Sequence, residues 1–227
     1  MSVSIEGVLF DAGGVLVLPD PTVLGPLLIP YGGDPGVPAH HRAHYAGMAV
    51  KGRAGATEGD WADYDMAYVR SIGVPPHDED EAAWLLGRTR SARLWRYPIA
   101  SSVVALRELH DRDVPIGVVS NASGQIEATL LRSAVCQVGD GPGVPVACVI
   151  DSKVVGVEKP DPRIFTFGLD ALGLPAEKVA YVGDSLHMDV GGALAAGLQP
   201  FHVDPYDDFP HATHRRIRSL DELLALV

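Results

Sequence analysis

Cysteine is scarce in this chain. Cys136 and Cys148 are its only two in 227 residues. Two cannot make a disulfide framework, so a reducing compartment is the simpler setting and both thiols read as small apolar residues. Basic charge is also short: 18 Lys and Arg stand against 29 Asp and Glu, a net charge of −11. Nucleic-acid binders show a basic face and anionic membranes attract basic segments, so neither nucleic acid nor membrane is expected as a partner. Long apolar runs are missing as well. The stretch from Val15 to Ile29 is broken by Pro19, Asp20, Pro21 and Pro26, whereas a bilayer span needs about 20 apolar residues. The opening Met1 to Glu6 has no basic region ahead of an apolar run, so no secretory signal is expected and a cytoplasmic location is. There is no internal repeat and no low-complexity tract.

What is present is a core-forming composition, 47% hydrophobic, in two alternating textures. Residues 1–17 and 97–227 read as short apolar strands separated by helices of about ten residues, the pattern of a parallel sheet covered on both faces. Strands are expected at 5–10, 115–120, 146–150, 179–183 and 200–203. Helices are expected at 101–110, 124–131, 162–172 and 190–196. The fold class is therefore α/β, with a doubly wound parallel sheet. Residues 18–96 differ. They are rich in Pro and Gly early, then show helical spacing at 39–50, 58–72 and from 78 to about 95, with no strand evident. An all-helical insert at this place would lie over the carboxyl ends of the strands, where open α/β sheets bind ligands. The glycine-rich loop between Val135 and Val146 is either a mobile flap or an irregular connection. Ser219 to Leu224 reads as a capped last helix packed on the sheet.

Four short pieces fall at expected strand ends or just before helices: Asp11-Ala12-Gly13-Gly14-Val15, Ser120-Asn121, Lys159-Pro160, and Gly183-Asp184-Ser185 with Asp189 beyond. Carboxylates, a hydroxyl with an amide, and an ammonium would then meet at one sheet edge. That set suits a phosphate dianion and a divalent metal. Mg²⁺ takes hard oxygen ligands, which Asp11 and Asp184 can supply, with Asp189 as a further ligand or an orienter. Ser120 and Asn121 can donate to phosphoryl oxygens, Lys159 can neutralise charge that develops in transfer, and Asp11 can attack phosphorus.

With these motifs in order, the chain resembles the haloacid dehalogenase (HAD) superfamily, in the subgroup whose helical cap lies between the first two motifs. Val154-Val155-Gly156-Val157-Glu158-Lys159-Pro160-Asp161-Pro162 is similar to that family's third motif. The run from Gly183 through Asp189 to Ala193 is similar to its fourth. The resemblance implies a Rossmann-like core at 1–17 and 97–227 with a cap at 18–96. It implies Asp11 as nucleophile, the Gly13 carbonyl as a metal ligand, Ser120 and Asn121 on the phosphoryl group, Lys159 steadying nucleophile and phosphate, and Asp184 on Mg²⁺. The substrate class it implies is a small phosphorylated metabolite, sugar-phosphate-like.

One position departs from the family's phosphatases. Gly13 stands where they carry a second aspartate, the general acid and base, whose loss typically costs about 10²- to 10⁴-fold in rate. Three outcomes fit: a leaving group that needs little acid help, a substitute base, or a protein that binds a phosphometabolite or a protein partner with vestigial turnover. His40, His41, His44 and His187 are the candidate substitutes, although the first three read more simply as a solvated helical face. A 2-haloacid dehalogenase is a further alternative, since those relatives also lack the second aspartate, but Asp184 and Asp189 add negative charge that suits a metal rather than a departing halide. In the insert, Arg42, Arg88, Arg90 and Arg93 could meet a second anionic group but read as surface charges. Trp61, Tyr64, Tyr68, Trp84 and Trp95 read as bundle core.

Overall fold

A computed structural model describes residues 4–55, 59 and 61–227. The strand β1, Gly7–Phe10, is buried along its whole length. The chain then passes through β2 (Val17–Pro19) into helices α1 (Pro21–Leu28), α2 (Val37–Ala54), α3 (Ala62–Ser71) and α4 (Glu79–Thr89). It returns through β3 (Trp95–Pro98) and α5 (Ala100–Asp111) to β4 (Ile116–Ser120) and α6 (Ile126–Arg132). Next come β5 (Cys136–Val138), β6 (Val144–Val146), β7 (Val149–Asp151), α7 (Ser152–Val155), α8 (Arg163–Leu172) and β8 (Val179–Gly183). A π-helical turn, Leu186–Gly191, leads to α9 (Gly192–Ala195), β9 (Gln199–Val203), β10 (Arg216–Ile217) and α10 (Asp221–Leu224).

The main sheet has six parallel strands in the order β10-β9-β8-β1-β4-β7. Its strands alternate between two cores. Val8, Phe10, Val118 and Val182 join one cluster with Leu106, Leu109 and Leu130 of α5 and α6 and Leu223 of α10. Leu9, Val119 and Tyr181 join the other with Ile164 and Phe165 of α8. Period-two side chains buried on both faces are what a helix-covered parallel sheet requires. The doubly wound α/β architecture is thus present.

Helices α1–α4 pack around a third cluster of their own, including Leu24, Leu28, Tyr68, Val69 and Leu86. Two differences from the sequence pattern occur here. Strands β2 and β3 lie at the edges of 18–96, where no strand was expected, and pair antiparallel at Leu18 and Tyr97 as a ribbon at the mouth of the helical segment. The proline-rich stretch after Pro19 forms α1, because Asp20 caps it by accepting from the Thr22 N–H at 3.0 Å and Pro21 sits at its first position, where the missing N–H costs nothing. The expected helix start at Glu58 lies outside the described residues.

The 135–146 stretch is a hydrogen-bonded connection: β5 and β6 pair, and Gln137 Oε1 accepts from the Gly143 N–H at 2.8 Å. The last helix packs Leu223 into the core as expected, but its cap differs. Glu222 Oε1 accepts from the Arg218 N–H, while the Ser219 hydroxyl donates to Asp221 Oδ2 rather than accepting from a backbone N–H. Both cysteines are free and buried.

Candidate active site

Neighbouring strands β4, β1 and β8 run parallel, so their carboxyl ends reach one edge together. Ser120 ends β4, Asp11 follows β1 and Asp184 follows β8. Lys159 enters from the loop before α8. Its Nζ lies 3.0 Å from Asp11 Oδ1 and 2.6 Å from Asp189 Oδ1, and donates to the Tyr181 hydroxyl oxygen at 2.9 Å. The Tyr181 O–H donates to the Val119 carbonyl at 2.9 Å. Asp189 Oδ2 accepts from the Ser185 N–H at 2.9 Å, so both its oxygens are engaged. Carboxylate oxygens of Asp11, Asp184 and Asp189 lie within 4.8 Å of one another.

Three carboxylates gather around the Lys159 ammonium in a nearly dry place: Lys159, Asp184 and Asp189 are buried and the Asp11 side chain is 13% exposed. Burial pushes the Asp11 carboxyl up to about 7, with Asp189 and Asp184 repelling its charge and Lys159 opposing the shift. Burial also works against the Lys159 charge, but Asp11 and Asp189 overcome it and hold its pKa above the ordinary lysine value. An all-oxygen donor set rich in carboxylates fits a hard divalent cation such as Mg²⁺. Asp11 and Asp184 are its natural donors, because Asp189 is committed to Lys159.

Above this edge is a cleft of about 280 Å³, walled on the sheet side by Ser120, Asn121 and Ser185 and on the other by Met48, Lys51 and Trp61. Asn121 Nδ2 donates to the Lys159 carbonyl at 3.0 Å, and its Oδ1 accepts from the Lys159 N–H at 2.7 Å. Its side chain therefore fixes the lysine loop, a duty the sequence did not suggest.

The chain matches the family model for haloacid dehalogenase-like hydrolases over residues 5–197. It belongs to that family. Among curated HAD relatives, it is 46% identical over 132 residues to a glyceraldehyde 3-phosphate phosphatase of Methanopyrus kandleri, covering 57% of this chain and 53% of that protein. It is 34% identical over 110 residues to a phosphoserine phosphatase of Thermus thermophilus, covering 48% and 42%. The chain thus spans about half the length of these relatives. Among solved structures, a HAD phosphatase from Thermococcus onnurineus superposes with a TM-score of 0.58 at 19% identity, covering 97% of each chain. A dehalogenase intermediate complex superposes with a TM-score of 0.60 at 18% identity, covering 100% of this chain and 99% of that one. At such identities the two show the shared HAD fold.

The structure redistributes the remaining candidates. His40 and His44 are buried rather than solvated. His40 Nδ1 lies 2.7 Å from the Tyr68 hydroxyl, while its Nε2 has no partner among the described residues. His41 bonds the Tyr206 hydroxyl at 2.7 Å, and His187 is exposed at the cleft. His44 enters the site: its Nε2 lies 2.8 Å from Asp184 Oδ2 and its Nδ1 2.9 Å from the Tyr64 hydroxyl. Burial pushes its pKa down to about 3, so the ring is neutral with one N–H. A carboxylate only accepts, so that proton is on Nε2 and Nδ1 accepts from Tyr64.

Of the four arginines, Arg90 reaches the cleft, paired with Asp65. Arg42 forms a forked pair with Asp208 at 2.7 and 2.8 Å, and Arg88 and Arg93 are exposed. Tyr64 and Tyr68 are core, Trp84 is 65% exposed rather than buried, and Trp61 and Trp95 line the cleft. Trp95 also explains the space at Gly13, since a Cβ built there would meet its ring carbons at 3.1 and 3.2 Å. The indole occupies the neighbourhood a side chain at position 13 would need. No local pattern marks His44, which is 140 residues from Asp184.

Proposed function

We propose that the protein is a Mg²⁺-dependent phosphatase of a small phosphomonoester, working through an aspartyl phosphate on Asp11. The observation that carries this reading is the cluster of three carboxylates in which Lys159 holds an oxygen of the expected nucleophile at 3.0 Å. Asp11 and Asp184, with the Gly13 carbonyl, hold the cation, and Asp189 orients Lys159. The cation, when bound, draws charge from the phosphoryl oxygens and keeps the carboxylates ionised at neutral pH. Ser120 donates to the phosphoryl group, and Lys159 shields its charge from that of Asp11. An oxygen of Asp11 bonds to phosphorus as the ester P–O bond breaks, and the departing oxygen takes its proton from solvent. Water then cleaves the acyl phosphate, releasing inorganic phosphate and restoring the carboxylate. The helical segment 18–96 serves as the cap, excluding water and selecting the substrate.

With Gly13 offering no acid, the substrates turned over best are those with stable leaving groups, such as anomeric sugar phosphates and acyl phosphates. Dehalogenase chemistry is disfavoured by the same carboxylates: Asp184 and Asp189 beside Asp11 repel both a haloacid carboxylate and a departing halide. The test is phosphate release from a panel of phosphorylated metabolites with and without Mg²⁺, with 2-haloacids in parallel and Asp11→Asn as control. Mg²⁺-dependent release abolished by Asp11→Asn is expected. Release untouched by that substitution would sink the mechanism, and phosphate-analogue binding without turnover would point to a binder.

A further inference from the structure

The contact between His44 and Asp184 crosses from the helical segment to the sheet edge, and its neighbourhood is built around it. The two side chains are 1% and 5% exposed. Tyr64, from α3, fixes the far side of the ring, and Trp95 stands edge-on to it with centroids 5.3 Å apart. The next residue, Tyr45, donates its O–H to the Gly14 carbonyl at 2.6 Å, so one turn of α2 grips both the loop after Asp11 and the carboxylate after β8. Gly14 makes this possible: its φ is +67°, and a Cβ there would lie 1.9 Å from Asp184 Oδ2 and 2.5 Å from His44 Nε2.

We infer that His44 is a positioning residue that orients Asp184 for the metal and makes metal affinity depend on α2 being seated over the site. This rests on the metal reading of Asp11 and Asp184 above. By donating to Oδ2, the imidazole fixes the carboxylate rotamer with which Asp184 would hold the ion. Partners that orient metal ligands are typically worth 10- to 100-fold in affinity. Because donor and acceptor lie on different units, the linkage is reciprocal: the metal favours the seated helix as much as the seated helix favours the metal.

The test is calorimetric titration of the whole protein with Mg²⁺ alone, for wild type, His44→Leu, His44→Gln and Tyr64→Phe, with hydrogen exchange at α2 measured with and without Mg²⁺. For His44→Leu the dissociation constant is expected to rise about 10- to 100-fold. His44→Gln retains an amide donor and should stay close to wild type. Mg²⁺ should slow exchange along α2 in wild type and not in His44→Leu. If the leucine variant does not fold, Tyr64→Phe decides, with a smaller rise in the same direction expected. Equal Mg²⁺ affinity in the folded His44→Leu variant, or in Tyr64→Phe when that variant decides, overturns the inference while leaving the metal site standing. A wild-type protein that binds no Mg²⁺ overturns the metal reading and this inference with it.

Discussion

Replacing Gly14 by alanine tests how tightly the site is assembled. The backbone there is left-handed at φ +67°, which costs an L-residue about 1–2 kcal/mol. The new methyl would also overlap Asp184 and His44, with carboxylate oxygen and carbon at 1.9 and 2.5 Å and the imidazole nitrogen at 2.5 Å. Relieving such an overlap typically costs about 1–3 kcal/mol in displaced side chains and backbone. The sum is about 2–5 kcal/mol, or roughly 4–20 °C in melting temperature for a chain of this size. Gly173 is the matched control. Its φ is +66°, and an added Cβ there meets nothing within 4 Å, so Gly173→Ala carries the strain alone, about 2–8 °C. Thermal melts and Mg²⁺ titrations of the two variants separate the effects. Gly14→Ala should melt lower than Gly173→Ala and lose Mg²⁺ affinity, whereas Gly173→Ala should keep it. Equal melting temperatures with unchanged Mg²⁺ affinity would refute the close packing of Gly14, His44 and Asp184.

The raised Asp11 carboxyl predicts a pH dependence. It holds its proton up to about 7 when folded against 3.8 when exposed, so between those values the folded state binds more protons and its stability falls as pH rises. Burial of His41, His44 and His202 lowers their pKa values and acts oppositely below their ordinary value, so the measurement is a difference. In the absence of metal, Asp11→Asn should gain on wild type by roughly 3 kcal/mol between about pH 5 and pH 8, and Mg²⁺ should close the gap; parallel melting curves at both pH values would contradict this. Restoring a carboxylate by Gly13→Asp should not by itself speed hydrolysis of alkyl phosphates, because Trp95 lies 3.1 Å from the new Cβ. Combined with Trp95→Leu it should gain up to about 10²-fold, and a single variant as fast as the double would show that the indole yields freely.

Much of this was legible in the chain because the signals are local. A buried parallel strand writes itself as an apolar run whose end is delivered to the sheet edge, which is why Asp11, Ser120 and Asp184 could be placed at the ends of β1, β4 and β8 from the sequence. Lys159 followed from its motif. The histidines of α2 were misjudged because helical spacing shows which residues share a face but not what covers that face; Tyr64, Tyr68 and Asp184 cover it here. Strands β2 and β3 were missed because each is only three or four residues long and their pairing joins positions some 80 apart. α1 was missed because proline was read as a breaker where Asp20 and Pro21 make it a helix start.

The adjacent glycines after Asp11 now have separate physical reasons. Gly13 leaves room for the Trp95 indole, and Gly14 leaves room for His44 against Asp184. The second arrangement does not repair the first. The one N–H of the neutral His44 ring points at Asp184 Oδ2, and its other nitrogen accepts from Tyr64. To protonate a leaving oxygen, the ring would have to break its bond to Asp184 while buried at 1% exposure. An imidazole so committed is a poor proton shuttle. In the proposed reaction the leaving group must then carry its own negative charge, and selection for substrates that can do so follows from the packing around two glycines rather than from any side chain that touches the substrate.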